Sequence, residues 1–153
     1  MRLVIDTNLI FSLLLRKNKK LLDILFSEKV ELYTPPHLFW ELFKHKDRLL
    51  KFTNLEENEL LDLLLAIFEH IEVISYRRIP KDYREMWFKK LEKCDPADFP
   101  FVLTTLVIEG KLWTGDLKLK KCLEENGIEV VITTEELLEN LKFYDEHENA
   151  YMD

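Results

Sequence analysis

Short apolar segments rich in β-branched residues alternate along this chain with longer segments whose apolar residues recur every three or four positions. The short segments have the composition of buried strands, and the longer ones have the period of helices that cover a core with one face. Strands are predicted at residues 2–5, 30–34, 71–75, 112–115 and 128–133. Because strands joined by helices pair in parallel, the alternation predicts an α/β fold of three layers, α/β/α, with helices on both faces of a parallel sheet.

Proline, glycine and capping residues predict where the helices begin and end. We expect helices at about residues 8–15, 19–27, 35–50, 53–70, 80–93, 98–109 and 117–126, and a last one from residue 134. Thr53 and Glu56 have the spacing of a capping box. Gly110 and Gly127 should close the helices that precede them. Thr134 should cap the last helix.

The chain has 153 residues, enough to bury a substantial core, and its three glycines and five prolines leave no flexible linker. We therefore expect one domain over residues 1–144 and a polar, frayed tail over residues 145–153. No apolar segment reaches the roughly 18 residues needed to span a bilayer, and the N-terminus lacks the pattern of a signal peptide. These features predict a cytoplasmic protein that does not associate with a membrane.

The net charge of −7 argues against strong non-specific binding of nucleic acid, which depends on many cation–phosphate contacts. Basic residues nevertheless cluster, and the clusters that begin at Arg16 and Lys118 follow strand-end aspartates closely. Cys94 and Cys122 stand apart without a C-x-x-C pair, so we expect two isolated thiols and no zinc site.

Two aspartates follow predicted strands at the position where parallel α/β sheets bind ligands. Asp6 follows the first strand, and Asp116 follows the fourth. Each could instead cap the helix that begins after it, because aspartate is among the best capping residues. The residues alone leave both interpretations open.

Two further acids lie on predicted helices. Glu41 shares a helical stripe with Leu38, where an acid is costly unless it is paired or bound to a cation. The alternatives are that Glu41 is merely exposed, or that it shares a metal with His37, four residues earlier. Asp98 lies near a helix N-terminus, where the helix dipole stabilises an anion, and Asp95 competes with it for the capping role.

In combination, these acids resemble the four motifs of the PIN-domain family, which includes VapC-like ribonucleases. The opening segment Val4-Ile5-Asp6-Thr7-Asn8 resembles the first motif, a strand followed by aspartate and Thr-Asn. Glu41, in a helix after the second strand, resembles the second. Asp95-Pro96-Ala97-Asp98 resembles the third, and Leu112-Trp113-Thr114-Gly115-Asp116 resembles the fourth. The resemblance covers roughly residues 1 to 140.

The resemblance implies a PIN-like central sheet of about four or five strands and an acidic pocket that binds Mg²⁺ or Mn²⁺ and hydrolyses RNA phosphodiester bonds. Asp6, Asp98 and Asp116 would coordinate the ion directly or through water. Glu41 would be a further ligand or would orient the attacking water. Many relatives carry another Asp or Asn after the fourth motif, where this chain has Lys118, which weakens the case for a second metal.

Other residues would support this pocket. Those that would orient the carboxylates are Thr7, Asn8, Thr114 and Asp95. Arg16 or Lys118 would contact flanking phosphates. Many members of the family are toxins of toxin–antitoxin pairs and are usually dimeric, and others process RNA. The expected partners are therefore RNA, single-stranded or structured, an antitoxin protein and a second copy of the chain.

Other function classes fit less well. A phosphatase of the haloacid-dehalogenase type needs an aspartate two residues after the first, where this chain has Asn8. A phosphoacceptor receiver domain would need paired acids near the first strand. The non-enzymatic alternative is a PIN domain that is catalytically weak or inactive and serves as an RNA-binding or assembly module, against which the intact acids argue.

Overall fold

A computed structural model describes residues 1–16 and 19–141, without the side chain of Arg16. Its five-stranded sheet has the order β3-β2-β1-β4-β5, and every neighbouring pair is parallel. The strands are β1 (Arg2–Ile5), β2 (Glu31–Thr34), β3 (Ile71–Val73), β4 (Lys111–Trp113) and β5 (Val131–Ile132). The predicted α/β class, the parallel sheet and its strand number are confirmed. The tail predicted at 145–153 lies outside the described residues.

Helices flank the sheet. They are α1 (Thr7–Arg16), α2 (Lys19–Leu25), α3 (His37–Lys44), α4 (Lys46–Thr53), α5 (Glu57–Phe68), α6 (Lys81–Lys90), α7 (Phe99–Ile108), α8 (Leu117–Glu125) and α9 (134–141). Short 3-10 turns occupy Tyr76–Arg78 and Pro96–Asp98. Within the described ranges, no helix combines the length and the apolar character that a bilayer crossing requires.

The core is centred on β1 and β4. Ile5 and Trp113 face each other in register and are fully buried. Helix α7 is apolar around its whole circumference and packs against β1, β2 and β4, as a helix in the middle of a core does. The indole N–H of Trp113 donates a hydrogen bond to the hydroxyl of Thr134 (2.9 Å), which ties the sheet to α9.

The strand order reverses next to β1. From β1 the chain proceeds to β2 on one side of the sheet, and β4 later pairs with β1 on the other side. The connections that leave β1 and β4 therefore diverge, and a crevice opens between them at the carboxyl ends of these strands. Asp6 and Asp116 follow those two strands directly.

The helix predicted from Pro35 to about Leu50 is wrong, because the structure contains two helices separated at His45. His45 leaves the helical conformation with φ −105° and ψ 15°. Its ring makes an edge contact with Phe11 of α1 (5.6 Å between centroids). We attribute the end of α3 to this packing on α1, because the local sequence contains neither a glycine nor a proline that would predict a helix end.

The capping box that begins at Thr53 is also wrong. Thr53 is the last residue of α4, where its hydroxyl donates to the backbone carbonyl of Leu49 (2.7 Å). Asn54 then adopts a left-handed conformation (φ 55°), which ends the helix. Glu56 takes the cap position of α5, and its backbone N–H donates to the carboxylate of Glu59 (3.3 Å). The sequence contains two overlapping capping patterns, one that begins at Thr53 and one that begins at Glu56, and the structure uses the second.

The last strand and the last cap are shifted from their predicted positions. Strand β5 spans two residues, Val131 and Ile132, instead of the six predicted. The cap of α9 is Thr133 and not Thr134, because the hydroxyl of Thr133 accepts a hydrogen bond from the backbone N–H of Glu136 (3.2 Å). The Thr134 hydroxyl accepts a hydrogen bond from the indole N–H of Trp113 instead.

Gly110 does not close α7 in the way predicted. Glu109 adopts the left-handed conformation (φ 54°) that was expected of the glycine. A side chain at Gly110 would place its Cβ 2.6 Å from the backbone oxygen of Arg2. Glycine is required here because the start of β1 passes close to the backbone before β4.

The two cysteines are joined in a disulfide, which corrects the prediction of isolated thiols. Cys94 lies just before the 3-10 turn that carries Asp98, and Cys122 lies on α8. They are 28 residues apart in sequence, and only the packing of α8 beside that turn brings them within bonding distance.

Candidate functional site

Asp6 lies at the carboxyl end of β1 and holds the start of α1. Its Oδ1 accepts a hydrogen bond from the backbone N–H of Leu9 (2.9 Å), so the capping interaction is present. Its Oδ2 accepts a hydrogen bond from the hydroxyl of Thr114. Two different segments therefore hold this carboxylate. None of the ion pairs in the described part of the chain involves it.

Thr114 links the two strand-end aspartates. It is buried, and its hydroxyl donates to Asp6 and accepts from the backbone N–H of Asp116 (3.2 Å). Asp116 in turn caps α8, because its Oδ1 accepts a hydrogen bond from the backbone N–H of Leu119 (3.1 Å). Capping occupies one oxygen of Asp116, and the other has no hydrogen-bond partner among the described residues. Capping and a ligand role are thus compatible at this position.

The carboxylate of Asp98 does not cap the helix that it precedes. Asp95 does the local capping, since its Oδ1 accepts a hydrogen bond from the backbone N–H of Ala97 (3.0 Å). Asp98 is half-buried and makes no capping hydrogen bond to α7. Partial burial of an acid without such a partner is costly, and arrangements of this kind concentrate at functional sites.

The three aspartates also interact through their charges. Burial, followed by the negative charges of Asp95, Asp116 and Asp6, raises the pKa of Asp98 to about 6. Burial likewise raises the pKa of Asp6, against the lowering effect of hydrogen bonds from Thr114 and the backbone, and the charge of Asp116 adds to the rise. Asp6, Asp98 and Asp116, called here the acid cluster, therefore meet at one rim of the sheet.

Two cavities adjoin at the acid cluster, and Asp116 lines both. The first, of about 380 Å³, is also lined by Asp6, Asn8, Ser12, Thr114 and Gly115. The second, of about 370 Å³, is also lined by Asp95, Asp98, Lys118 and both cysteines of the disulfide. A Cβ placed on Gly115 would meet no protein atom within 4 Å, so the space beside this backbone is open. The rim offers room for an ion and a phosphate.

Glu41 lies outside the acid cluster and outside the lining of its two cavities. It lies on α3 beside the buried Leu38, as the stripe predicted, and its Oε2 is 3.9 Å from Nε2 of His45. It lines neither cavity and does not contribute to the pKa shifts of Asp6 or Asp98.

No group of three acidic, histidine or cysteine side chains has metal-binding geometry in the described ranges, 1–16 and 19–141. The acid cluster would therefore have to rotate its side chains to share one ion. Asp98 makes no capping bond that opposes such a rotation, whereas Asp6 and Asp116 are each held by a capping bond from a backbone N–H. The donor set, which consists of carboxylate oxygens that repel one another, suits a hard divalent cation.

Only some of the residues predicted to support the pocket line its cavities. The hydroxyl of Thr7 is buried and has no hydrogen-bond partner within the described chain. Asn8 lines the first cavity together with Asp6, near the start of α1. Lys118 lines the second cavity beside the acids. The predicted phosphate contact of Arg16 lies outside the described side chains.

Ser12 and the disulfide belong to this region as well, and neither was predicted to. Ser12 lies four residues after Asn8 on α1, a spacing that places both on one helix face, so a signal for it was present. For the disulfide there was none, because two cysteines far apart in sequence carry no information about their distance in space.

Comparison with known proteins agrees with this architecture. A family model described as the PIN domain matches residues 4–142. No protein with a curated description matches the chain. One similar structure is that of VapBC2 from Rickettsia felis bound to a DNA fragment from their promoter, with a TM-score of 0.66 and 14% identity over 87% of this chain and 98% of that one. Another is VapBC-1 from nontypeable Haemophilus influenzae, with a TM-score of 0.62 and 16% identity over 88% of this chain and 98% of that one.

At these identities the two structures establish the fold, whereas the family model spans nearly the whole described chain and includes every member of the acid cluster. The chain belongs to the PIN domain family.

Proposed function

We propose that this protein is an Mg²⁺- or Mn²⁺-dependent ribonuclease that hydrolyses RNA phosphodiester bonds at the acid cluster. The observation that carries the proposal is the hydroxyl of Thr114, which bonds to the carboxylate of Asp6 and to the backbone N–H of Asp116 and so ties these two residues together beside Asp98. An arrangement needed only for capping would not require acids from three separate segments at one rim. Nuclease activity is also what the PIN domain family implies.

In this proposal, Asp6, Asp98 and Asp116 hold the cation. When bound, the ion lowers the pKa of a water molecule and stabilises negative charge on the phosphoryl oxygens. Thr114 keeps Asp6 in position, because a hydrogen bond to a ligating carboxylate fixes its orientation. Glu41 would act as a ligand or orient the attacking water, and this requires its side chain to turn away from His45. This chain has lysines after Asp116, where many relatives carry a further Asp or Asn, and this favours a single ion.

The surrounding residues would bind substrate and support the ligands. Lys118 would attract a phosphate beside the scissile one, since it lines the cavity that Asp98 and Asp116 share. Thr7, Asn8 and Asp95 would orient the carboxylates through their positions next to Asp6 and Asp98. Arg16 would contact a phosphate on the α1 side.

We further propose that the protein is the toxin of a toxin–antitoxin pair and forms a homodimer. The two similar structures are VapBC complexes, which is the basis for expecting an antitoxin. Large apolar side chains are exposed on α3 and α5, and two aromatic pairs stack there: Phe39 on Phe68 and Trp40 on Phe43. Exposed apolar patches of this kind favour a protein partner. Light scattering of the isolated chain would measure its molar mass and so test whether it forms a dimer.

A cytoplasmic location is part of the same proposal. Disulfides rarely persist in the cytosol, where thiols are kept reduced. A cytoplasmic location therefore predicts that the Cys94–Cys122 bond of this structure is reduced in the cell, and a disulfide trapped in freshly lysed cells would contradict the location.

The experiment for the main proposal compares Asp6→Asn, Asp98→Asn and Asp116→Asn with Asp62→Asn. Asp62 is an exposed residue of α5 that lines neither acidic cavity and serves as the matched control. Each cluster variant should lose Mn²⁺-stimulated cleavage of RNA and should weaken Mn²⁺ binding in a calorimetric titration, whereas the control should keep both. Undiminished cleavage by Asp6→Asn would overturn the assignment.

The same experiment addresses the alternative, an inactive PIN domain that serves as an RNA-binding or assembly module. Such a protein would bind RNA equally well with and without Mn²⁺ and would cleave nothing under any condition. Its binding would also be insensitive to the three cluster substitutions.

A further inference from the structure

A separate cavity of about 450 Å³ lies between α6 and the start of α7. The residues that line it include the aromatic residues Tyr76, Phe88 and Phe99, together with Pro100. Phe88 and Phe99 are in edge-to-face contact, with 5.2 Å between their centroids, which fixes the orientation of both rings. This space, called here the aromatic cavity, has the size of a small-molecule site.

Residues that line the aromatic cavity lie on the same side of the sheet as the acid cluster. Phe99, one of them, follows Asp98 directly, and consecutive Cα atoms are about 3.8 Å apart. His37 and Tyr76, which line it, follow the carboxyl ends of β2 and β3. The sheet is parallel, so these ends lie on the same side as Asp6. A polymer bound at the acid cluster can therefore extend toward the cavity on the same side of the sheet.

The charges around the aromatic cavity are mostly positive. Lys81 and Arg84 line it together with one acid, Glu85, which lies 3.6 Å from Lys81 in an ion pair. Arg84 takes part in no ion pair of the described residues, and its Nε is buried without a hydrogen-bond partner there. A guanidinium whose Nε is unsatisfied, beside an apolar space, is suited to an anion. The Tyr76 phenol, nearby, stays protonated because burial raises its pKa to about 12.

We propose that the aromatic cavity receives one unpaired nucleobase of the RNA substrate, stacked against Phe88 or Phe99, while Arg84 binds the adjacent phosphate. Flat aromatic walls beside an unpaired cation match a base joined to its phosphate, and stacking on aromatic side chains is how proteins hold single-stranded nucleic acid. The inference rests on the proposed ribonuclease function, and it specifies a single-stranded segment beside the cleaved bond. An apolar segment of a protein partner is the competing occupant.

The test measures binding of a short fluorescent single-stranded RNA in the Asp116→Asn background, so that cleavage does not interfere. Phe88→Ala is compared with Met86→Ala, and Arg84→Gln with Lys89→Gln. The control residues lie on the same helix, are exposed, and do not line the cavity. Phe88 is itself 49% exposed, so its replacement leaves the core intact. Thermal melting of each variant verifies the fold.

Phe88→Ala should weaken RNA binding by roughly 5- to 100-fold, the range of one lost stacking contact. Arg84→Gln should also weaken it, and the controls should not. A set of RNAs with one abasic nucleotide at successive positions sharpens the test. At one position the missing base should weaken binding to the parent and abolish the effect of Phe88→Ala.

Equal binding by all four variants would overturn the cavity assignment and leave the ribonuclease proposal intact. So would variants that lose affinity for a protein partner but not for RNA. If the parent protein neither binds nor cleaves RNA with Mn²⁺, the ribonuclease proposal fails, and this inference fails with it.

Discussion

The hydroxyl of Thr114 donates a hydrogen bond to the carboxylate of Asp6, across 108 residues of sequence. The bond crosses from the end of β4 to the end of β1, the two strands between which the sheet opens its crevice. The same hydroxyl accepts the backbone N–H of Asp116 (3.2 Å). One buried threonine therefore positions two acids of the proposed metal site.

Replacing Thr114 with valine should weaken metal binding. Valine keeps the shape and removes the hydroxyl, so Asp6 and the N–H of Asp116 each lose a hydrogen-bond partner. We expect the affinity for Mn²⁺ to fall about 10- to 100-fold, as for other groups that orient ligands. The free energy of unfolding should fall by about 1–3 kcal/mol. Calorimetric titration and urea unfolding measure the two effects. Thr114→Ser is the control and should retain the Mn²⁺ affinity and the stability of the parent. Unchanged Mn²⁺ affinity in the valine variant would contradict the positioning role.

Metal-free protein should lose stability as the pH rises from about 4 to about 6 because of Asp98. The pKa of this carboxyl is about 6 in the folded protein and 3.8 when unperturbed. Below the lower value both states are protonated, and between the two values the unfolded chain alone is ionised, which favours unfolding. At 1.36 kcal/mol for each pKa unit the loss is at most on the order of 3 kcal/mol, and it is smaller because solvent screens a half-buried carboxyl.

Asp98→Asn tests this expectation. The variant should be more stable than the parent at pH 7 in the presence of a chelator, and the pH dependence between 4 and 6 should shrink. With saturating Mn²⁺ the order should reverse, since the parent alone gains stability from the ion. Thermal melting over pH 4 to 8 measures both, and a parent that gains stability between pH 4 and pH 6 would refute the assignment.

Much of the fold was predictable because the deciding signals are local. Buried strands such as β1 and β4 are short apolar segments whatever surrounds them, and their alternation with helices determines a parallel sheet. The break at His45 was not predictable, because it is set by the contact with Phe11, far away in sequence. The left-handed residue before Gly110 depends in the same way on the approach of β1 to that glycine.

The candidate site was predictable only in part. The positions of Asp6 and Asp116 at strand ends follow from the order of the elements. The free carboxylate of Asp98 could not be separated from the capping carboxylate of Asp95 in the sequence, because both precede the same apolar segment, and only the fold shows that Asp95 caps the 3-10 turn before α7. The aromatic cavity combines residues from four elements, and no single segment carries a pattern that would indicate it.

Removal of the disulfide should lower stability under oxidising conditions. Cys94 and Cys122 close a loop with a sequence separation of 28, for which the restricted entropy of the unfolded chain gives roughly 3–4 kcal/mol. The double variant Cys94→Ser/Cys122→Ser should unfold at lower urea concentration than the oxidised parent. With a dithiol reductant, the parent should converge on the variant. If oxidised and reduced parent unfold alike, with the bond verified by mass spectrometry, the expectation is wrong.

Two glycines should respond differently to the same substitution. Gly110→Ala would place a Cβ 2.6 Å from the backbone oxygen of Arg2, and backbone cannot move aside as a flexible side chain could. We expect a loss of about 1–3 kcal/mol in the free energy of unfolding. Gly115→Ala should change it by less than about 0.5 kcal/mol, because its Cβ meets no atom within 4 Å. Equal effects in urea unfolding would show that the approach of β1 does not require glycine.

Glu41→Gln should lower the rate of RNA cleavage without lowering stability. Glu41 is half-buried on α3, yet its nearest charged partner, His45, is 3.9 Å away, too far for a strong hydrogen bond that would explain its burial. A residue that orients the attacking water is worth about 100-fold or more in rate. His45→Gln is the matched control, because it removes the ion pair and keeps the carboxylate. Retained cleavage in Glu41→Gln together with lost cleavage in His45→Gln would assign the function to the histidine and exclude Glu41 from the site.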